Sequence, residues 1–278
     1  MDEYVAETTI EMIPYPEINP VAISLGPLQV HWYGIAYLLS FIGVWRLAIL
    51  RTRQSWSPVK KAQVEDLIFY SALGVILGGR FGYVFFYQFS RFLEEPIWLF
   101  KLWEGGMSFH GGFLGVCFAV IYFARKNKIR LLPLADFVAP LAPVGLFLGR
   151  LGNFIGQELW GRPTDGWWAM VFPADPLQLP RHPSQLYEAF LEGIVLFGIL
   201  WLVSRKQRPA GLLAGLFLIG YGVFRFVVEF AREPDAHLAD SLLFDWMTRG
   251  QTLCLPMIAV GGIFVIYSIS NRKKDLKV

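Results

Sequence analysis

The sequence predicts an all-α integral membrane protein with seven transmembrane helices, its N-terminus outside and its C-terminus in the cytoplasm. Three observations predict it. Hydrophobic residues make up 55% of the chain and charged residues 17%, against about 25% charge in an ordinary soluble domain. Seven apolar windows are long enough to cross a bilayer, which takes about 20 residues each. The basic residues alternate from link to link, which fixes the direction of threading.

The windows cover residues 30–50, 67–88, 107–124, 134–155, 184–203, 211–230 and 251–270, and together they make one membrane domain. Ahead of them, residues 1–29 form an outer segment with Asp2, Glu3, Glu7, Glu11 and Glu17. It has no basic stretch and no cleavage site before an early apolar core, so no removable signal peptide is expected. The first span runs inward to Arg51 and Arg53, and Lys60 and Lys61 open the second. The next inner link carries Arg125, Lys126, Lys128 and Arg130, and the one after it Arg205, Lys206 and Arg208. The 271–278 tail adds Arg272, Lys273, Lys274 and Lys277, so that fifteen of the 25 Lys and Arg fall on the inner side. Six lie on the outer side, Arg91, Lys101, Arg162, Arg181, Arg232 and Arg249, and four lie inside spans. The net charge of +3 therefore comes from cytoplasmic links and is no footprint for nucleic acid.

Two outer segments exceed simple connectors, 157–183 and 232–250, and form a small periplasmic head. Trp160, Trp167 and Trp168 fit an interfacial belt there, and Trp168 to Phe172 reads as a short strand. His31, His182 and His237 read as interfacial. Small residues recur at four-residue spacing, as in Gly74, Gly78 and Gly82 or Gly111 and Gly115, a pattern that lets membrane helices approach closely. Cys117 and Cys254 sit inside spans without CxxC spacing and read as small buried side chains. No cluster has metal-ligand spacing and no nucleophilic serine elbow is present, so neither metal nor cofactor is expected.

The buried charges carry the functional information, because an ionisable residue inside a membrane is costly unless it meets an opposite charge. At about 1.5 Å per residue, Arg80, Arg150 and Arg225 lie roughly 20, 24 and 21 Å from the cytoplasmic ends of their spans. All three therefore reach the outer half of the bilayer, as do Tyr33 and His110. Glu188, Glu192 and Glu229 are possible partners, and Tyr221, Arg225, Glu229 and Arg232 share a helix face through spacings of 4, 4 and 3. The reading that best explains Arg150 and Arg225 is an anion cavity open to the outer leaflet. Guanidinium suits phosphate through its planar fork and permanent charge. Arg80 serves equally as an internal partner or as a phosphate contact. Asp136, at the cytoplasmic start of the fourth span, reads as a helix-end group.

Several motifs then resemble those of bacterial phosphatidylglycerol–prolipoprotein diacylglyceryl transferases. They are Gly149-Arg150-Leu151-Gly152-Asn153-Phe154, Glu158-Leu159-Trp160-Gly161-Arg162, Val171-Phe172-Pro173 and His31-Trp32-Tyr33-Gly34. Gly78-Gly79-Arg80-Phe81-Gly82-Tyr83, Gly105-Gly106-Met107-Ser108-Phe109-His110-Gly111-Gly112, Arg181-His182-Pro183-Ser184-Gln185-Leu186-Tyr187-Glu188 and Tyr221-Gly222-Val223-Phe224-Arg225 complete the set. They run in the family's order over about residues 14 to 270, and Gly156 stands where the family usually has a second Asn.

The resemblance implies transfer of an sn-1,2-diacylglyceryl group from phosphatidylglycerol to the lipobox cysteine of a prolipoprotein signal peptide, in the bacterial inner membrane with the active site toward the periplasm. It implies Tyr33, His110, Arg150, Asn153, Glu158, Gly161, Arg225 and Glu229 as functional positions. On this reading Arg150, Arg225, His110 and Tyr33 are catalytic, while Asn153, Glu158, Gly161, Glu229 and Arg80 join the two arginines in binding the lipid. His110 is the candidate base, with thiolate formation in the arginine field as the alternative. A membrane anion or lipid transporter is the rival reading; it needs a polar route through both membrane halves, and the inner half offers little.

Overall fold

Helices dominate the structure, a computed structural model that describes residues 13–26, 28–233 and 247–275. Asp2, Glu3, Glu7, Glu11 and His237, most of the 232–250 segment and the end of the 271–278 tail lie outside the described residues. Every apolar window of the sequence is helical. α1 is Trp32–Arg51, α2 Val64–Tyr87, α3 Phe89–Glu94, α4 Phe109–Lys126, α5 Leu131–Val138 and α6 Ala142–Ile155. α7 (Ser184–Glu188) runs through a π-helical stretch, Ala189–Val195, into α8 (Leu196–Val203). α9 (Leu212–Val228) and α10 (Arg249–Asp275) follow.

Among the described residues, four helical segments are long and apolar enough to cross a membrane: Trp32–Arg51, Lys61–Tyr87, Ser184–Val203 and Arg249–Asn271. A fifth forms if α5 and α6 make one span. The sequence reads 134–155 as one uninterrupted helix, whereas these two helices meet at 42°. Pro140 and Pro143 explain the break, because neither has an N–H to donate to the carbonyl four residues back. The helices fit an integral membrane protein of the all-α class. The exceptions are two small antiparallel pairs. β1 (Val21–Leu25) pairs with β2 (Leu28–His31), and β3 (Met170–Val171) pairs with β4 (Pro180–Arg181). The strand expected around Trp168 to Phe172 is therefore present but shorter.

The described residues fall into two compact units. The first draws on Met1–Ser40, Pro143–Ile199 and Leu218–Gly262, and the second on Phe41–Ala142, Leu200–Phe217 and Ile263–Val278.

In the second unit, Phe123, Phe137, Leu134, Val59, Val64 and Leu67 form the buried centre. The α2–α4 contact beside it depends on the glycine spacing noted in the sequence. A Cβ on Gly74 meets the Gly115 carbonyl oxygen at 2.5 Å, and one on Gly82 meets the Gly111 Cα at 2.7 Å. Backbone thus lies on backbone, and any side chain there forces the pair apart. Asp136 is a helix-end group, as expected, but for another helix. Its carboxylate accepts the N–H groups of Gly211 (2.7 Å) and Ala214 (2.8 Å) at the start of α9, where helical donors have no partner of their own.

In the first unit, Tyr15, Phe154, Met170 and Phe172 make a small core against which Trp160 and Leu186 pack. Trp160 stacks on Phe172 with ring centroids 5.9 Å apart, so it belongs to this core, whereas Trp167 and Trp168 are exposed. The 157–183 segment is pinned by Asp175. This buried carboxylate accepts from Arg181 Nε at 2.6 Å and Arg181 Nη2 at 3.3 Å, and from the N–H groups of Leu177 (3.1 Å) and Leu179 (3.2 Å). The hydrogen bond from Arg181 holds the Asp175 carboxyl below the usual carboxylate range. A carboxyl depressed in the folded state stabilises above its unfolded value of about 3.9 and loses that contribution as pH falls through the folded value. Protection of the 170–181 amides, taken against the unfolded-chain exchange rate at the same pH, is therefore expected to fall on acidification below about pH 4. Asp175→Asn should show low protection already at neutral pH and little further change in acid.

Candidate active site

Arg150 lies near the end of α6, beside Gly149, where a Cβ would meet nothing within 4 Å. Arg225 lies in the last turn of α9, one turn before Glu229. Glu188, the last residue of α7, stands between them. Its Oε2 is 3.2 Å from Arg150 Nε, and its Oε1 is 2.9 Å from Arg225 Nη1 and 3.5 Å from Arg232 Nη1. Glu192, one turn on, lies 3.7 Å from Arg150 Nη2. Glu229 completes the set, with Oε2 2.6 Å from Arg225 Nη2 and Oε1 accepting from the Thr248 hydroxyl at 2.9 Å. The side chains of Glu188 and Glu192 have no solvent exposure, whereas Arg150 and Arg225 each keep 14%.

Glu188 and Glu192, four residues apart, share one helix face. Glu192 lies in the π-helical stretch, whose i→i+5 bonding widens the turn; such stretches are frequent at functional sites. Gly193 allows it to pack, since a Cβ there meets Phe147 Cβ at 2.7 Å.

The arginines differ in how firmly they are held. Arg225 has two short contacts, at 2.9 and 2.6 Å, while Arg150 meets its carboxylates at 3.2 and 3.7 Å. Three guanidiniums facing three carboxylates balance formally. The sequence expectation of arginines awaiting an anion in an open cavity is thus modified: each already meets carboxylate, and an anion has to compete for it. Arg150 has the looser pairing of the two. Neither Glu192 oxygen accepts a hydrogen bond among the described residues.

The residues after α6 build the neighbouring wall. Asn153 is buried and its amide donates to Glu158 Oε1 at 2.7 Å, while Gln185 Nε2 donates to the Glu158 carbonyl at 2.8 Å. Tyr33, in the first turn of α1, lies over Gly152, where a Cβ would sit 2.8 Å from its ring. A cavity of about 670 Å³ runs along this wall, lined by Gln29, His31, Tyr33, Gly152, Gly156 and Glu158 among others. Gly161 is a backbone junction, not a ligand-facing side chain. Its N–H donates to the His182 carbonyl at 2.9 Å, its strand-like partner is Arg232, and a Cβ would lie 2.6 Å from that carbonyl oxygen. His182 packs against Trp168 and Tyr187, and burial pushes its imidazole below its ordinary value.

Arg80 and His110 belong to the second unit. His110 is in the first turn of α4, exposed, behind the N-cap Ser108 whose hydroxyl accepts the Gly111 N–H. Arg80 is buried, and all its donors are directed at backbone carbonyls of residues 98–106. Its expected role as a phosphate contact therefore meets a plain obstacle: no N–H is left over.

Sequence reasoning counted Arg232 on the outer side and, through its i+3 spacing from Glu229, on the face of Arg225; that it reaches Glu188 was not foreseen. It gave Glu188 as one possible partner among three, without the shared position. The wall formed by Gln29 and His31 left no sequence signal beyond the motif around Tyr33.

The profile of prolipoprotein diacylglyceryl transferases matches residues 20–267. Proteins named phosphatidylglycerol–prolipoprotein diacylglyceryl transferase are similar along nearly the whole chain. That of Pseudomonas entomophila is 54% identical over 268 residues, covering 96% of this chain and 99% of its own. That of Teredinibacter turnerae is 56% identical over 267 residues, covering 92% and 93%. The Ectopseudomonas mendocina protein is 56% identical over 265 residues, covering 94% and 98%. With the motifs in order and the paired arginines in place, the chain belongs to the prolipoprotein diacylglyceryl transferase family.

Proposed function

We propose that the protein transfers the sn-1,2-diacylglyceryl group of phosphatidylglycerol to the lipobox cysteine thiol of a prolipoprotein signal peptide. The sulfur attacks the glycerol carbon that bears the phosphoester. A carbon–sulfur bond forms, the carbon–oxygen bond breaks, and glycerol phosphate leaves with the bonding pair. The relatives' names support both substrates. The observation that carries the chemistry is the convergence of Arg150 and Arg225 on Glu188, with both guanidiniums still partly exposed.

Negative charge grows on the departing phosphate, and prearranged donors in a water-poor site stabilise it far more than water does. Arg225, held on two sides, serves as the fixed donor; Arg150 swings from its carboxylates to complete the fork. Glu229 orients Arg225. Tyr33, Asn153 and Glu158 position the lipid along the cavity wall, and Gly161 keeps Arg232 in register. The thiol, with an unperturbed pKa of about 8.5, needs a proton acceptor near neutrality, and His110 is the base. The reading needs no cofactor, metal or nucleic acid. Its setting is the bacterial inner membrane, among membrane lipids. There we infer seven spans, an outer N-terminus and a periplasmic head from residues 157–183 and 232–250, on the distribution of Lys and Arg.

The test is mass spectrometry of a lipobox peptide incubated with the purified protein and phosphatidylglycerol. A diacylglyceryl adduct on cysteine is the expected product, and its absence overturns the reading. His110→Asn is expected to lower single-turnover transfer at neutral pH by about 100-fold or more, within the usual range for a general base. Substantial transfer by that variant rules out His110 as the base.

A further inference from the structure

Arg80 is the most completely satisfied cation among the described residues. Nε donates to the Leu99 carbonyl at 2.9 Å; Nη1 donates to Gly105 and Gly106; Nη2 donates to Trp98 and, at 3.1 Å, to Lys101. A guanidinium has five N–H donors, and five carbonyls of one short segment take them. The guanidinium also lies 4.5 Å over the Trp98 ring, whose other contact of this kind is Arg91 at 4.1 Å. Trp98 Nε1 in turn donates to Glu104, which pairs with Arg91.

The segment has no regular ladder of its own. It consists of two short 3₁₀ turns, Pro96–Phe100 and Leu102–Glu104, followed by Gly105 and Gly106 at φ +74° and +80°. The Trp98 and Lys101 carbonyls also accept the N–H groups of Lys101 (3.0 Å) and Glu104 (3.2 Å), while for those of Leu99, Gly105 and Gly106 Arg80 supplies the partner that such backbone groups need when water is excluded. Immediately after it, the Ser108 N–H donates to the Gly79 carbonyl at 2.9 Å, and Ser108 caps the helix that carries His110. One side chain and its neighbouring carbonyl on α2 thus fix the whole strap from 98 to 108.

We propose that Arg80 is a positioning residue for the transfer reaction: it holds the 98–108 strap and through it the first turn of α4, and it makes no contact with the lipid phosphate. The proposal rests on the functional reading above. Lysine offers three donors from a single point and cannot span five carbonyls. Arg80→Lys is therefore expected to lower kcat by about 10- to 100-fold, the scale of a slightly misplaced reacting group, with KM for phosphatidylglycerol nearly unchanged. A residue that grips the phosphate in the ground state raises KM instead.

Gly106→Ala disturbs the strap without touching the charge, because its Cβ runs into the Tyr83 ring. If both changes act through the strap, the double variant is little worse than the worse single one; independent effects multiply. Hydrogen exchange of the amides of 99–106 in Arg80→Lys supplies a readout separate from turnover. Faster exchange there, with the kcat-only loss and the non-multiplicative double, is the expected result. Unchanged exchange, a raised KM, or multiplying effects overturn the proposal. Should Gly106→Ala not fold, Trp98→Phe, which removes the indole N–H to Glu104, takes its place. The exchange readout stands whether or not His110 proves to be the base, so a failure of that assignment is told apart from a failure of this one.

Discussion

Arg150→Lys is expected to reduce transfer by roughly 100- to 1000-fold while the protein remains folded, the scale of losing one donor to a site of developing charge. The substitution preserves the positive charge that balances Glu188 and Glu192, at 3.2 and 3.7 Å in the native chain. It removes the planar fork, and an ammonium on a flexible stem does not reproduce bidentate contact with phosphate. The measurement is the rate of diacylglyceryl adduct formation on a lipobox peptide, read beside the melting temperature of the detergent-solubilised protein. A normal melting temperature with lost transfer is the expected pair of results. Transfer at the native rate would show that charge alone suffices. Arg225→Lys should differ, because its contacts at 2.9 and 2.6 Å fix the geometry of the whole set; there both stability and transfer fall.

Glu188→Gln is expected to be strongly destabilising, since one carboxylate meets three guanidiniums. Glutamine has nearly the same shape but no charge, and it leaves three guanidiniums facing two carboxylates. Removing one partner of a buried ionic group typically costs about 3–5 kcal/mol, because the remaining charge is left uncompensated. For a protein of this size that corresponds to a fall in melting temperature of roughly 10 °C. A second substitution sharpens the test: Arg232→Gln removes the most distant of the three cations, 3.5 Å from Glu188 Oε1. The double variant should then be more stable than the sum of the single losses predicts, since the two sites share one interaction. Strict additivity would contradict the charge-balance account.

The helical segments were legible because an apolar window of bilayer length leaves little choice of secondary structure, and the α2–α4 approach was legible in the glycine spacing. The break between α5 and α6 was present in the sequence as Pro140 and Pro143, but hydropathy is blind to it, since proline scarcely alters an apolar average. Arg150, Arg225 and Glu229 stood out because charge inside an apolar window is rare. The hub at Glu188 did not, because which of three nearby carboxylates meets which cation depends on helix rotation, and the π-helical stretch alters that rotation. Arg80 shows a different limit. Its burial could be inferred from its depth, yet its partners are main-chain carbonyls, which every residue possesses and no residue type announces. Trp160 likewise reads as an interfacial side chain until Phe172 and Tyr15 are brought beside it by strand pairing and by the hydrogen bond from the Tyr15 hydroxyl to the Phe154 carbonyl.

The widened turn at 189–195 works as a phase adjuster inside one continuous rod. Each residue of an α-helix advances the azimuth by about 100°, so the extra residue accommodated there uncouples the bearing of Glu188 from that of Leu196 and its successors. The apolar half can then drift among Leu, Ile, Val and Phe to suit neighbouring chains or lipid without swinging the carboxylate off its arginines. Adding or removing one residue in the regular helix beyond it, by contrast, rotates everything that follows by about 100°. Length there is therefore under tighter constraint than the identity of its aliphatic side chains.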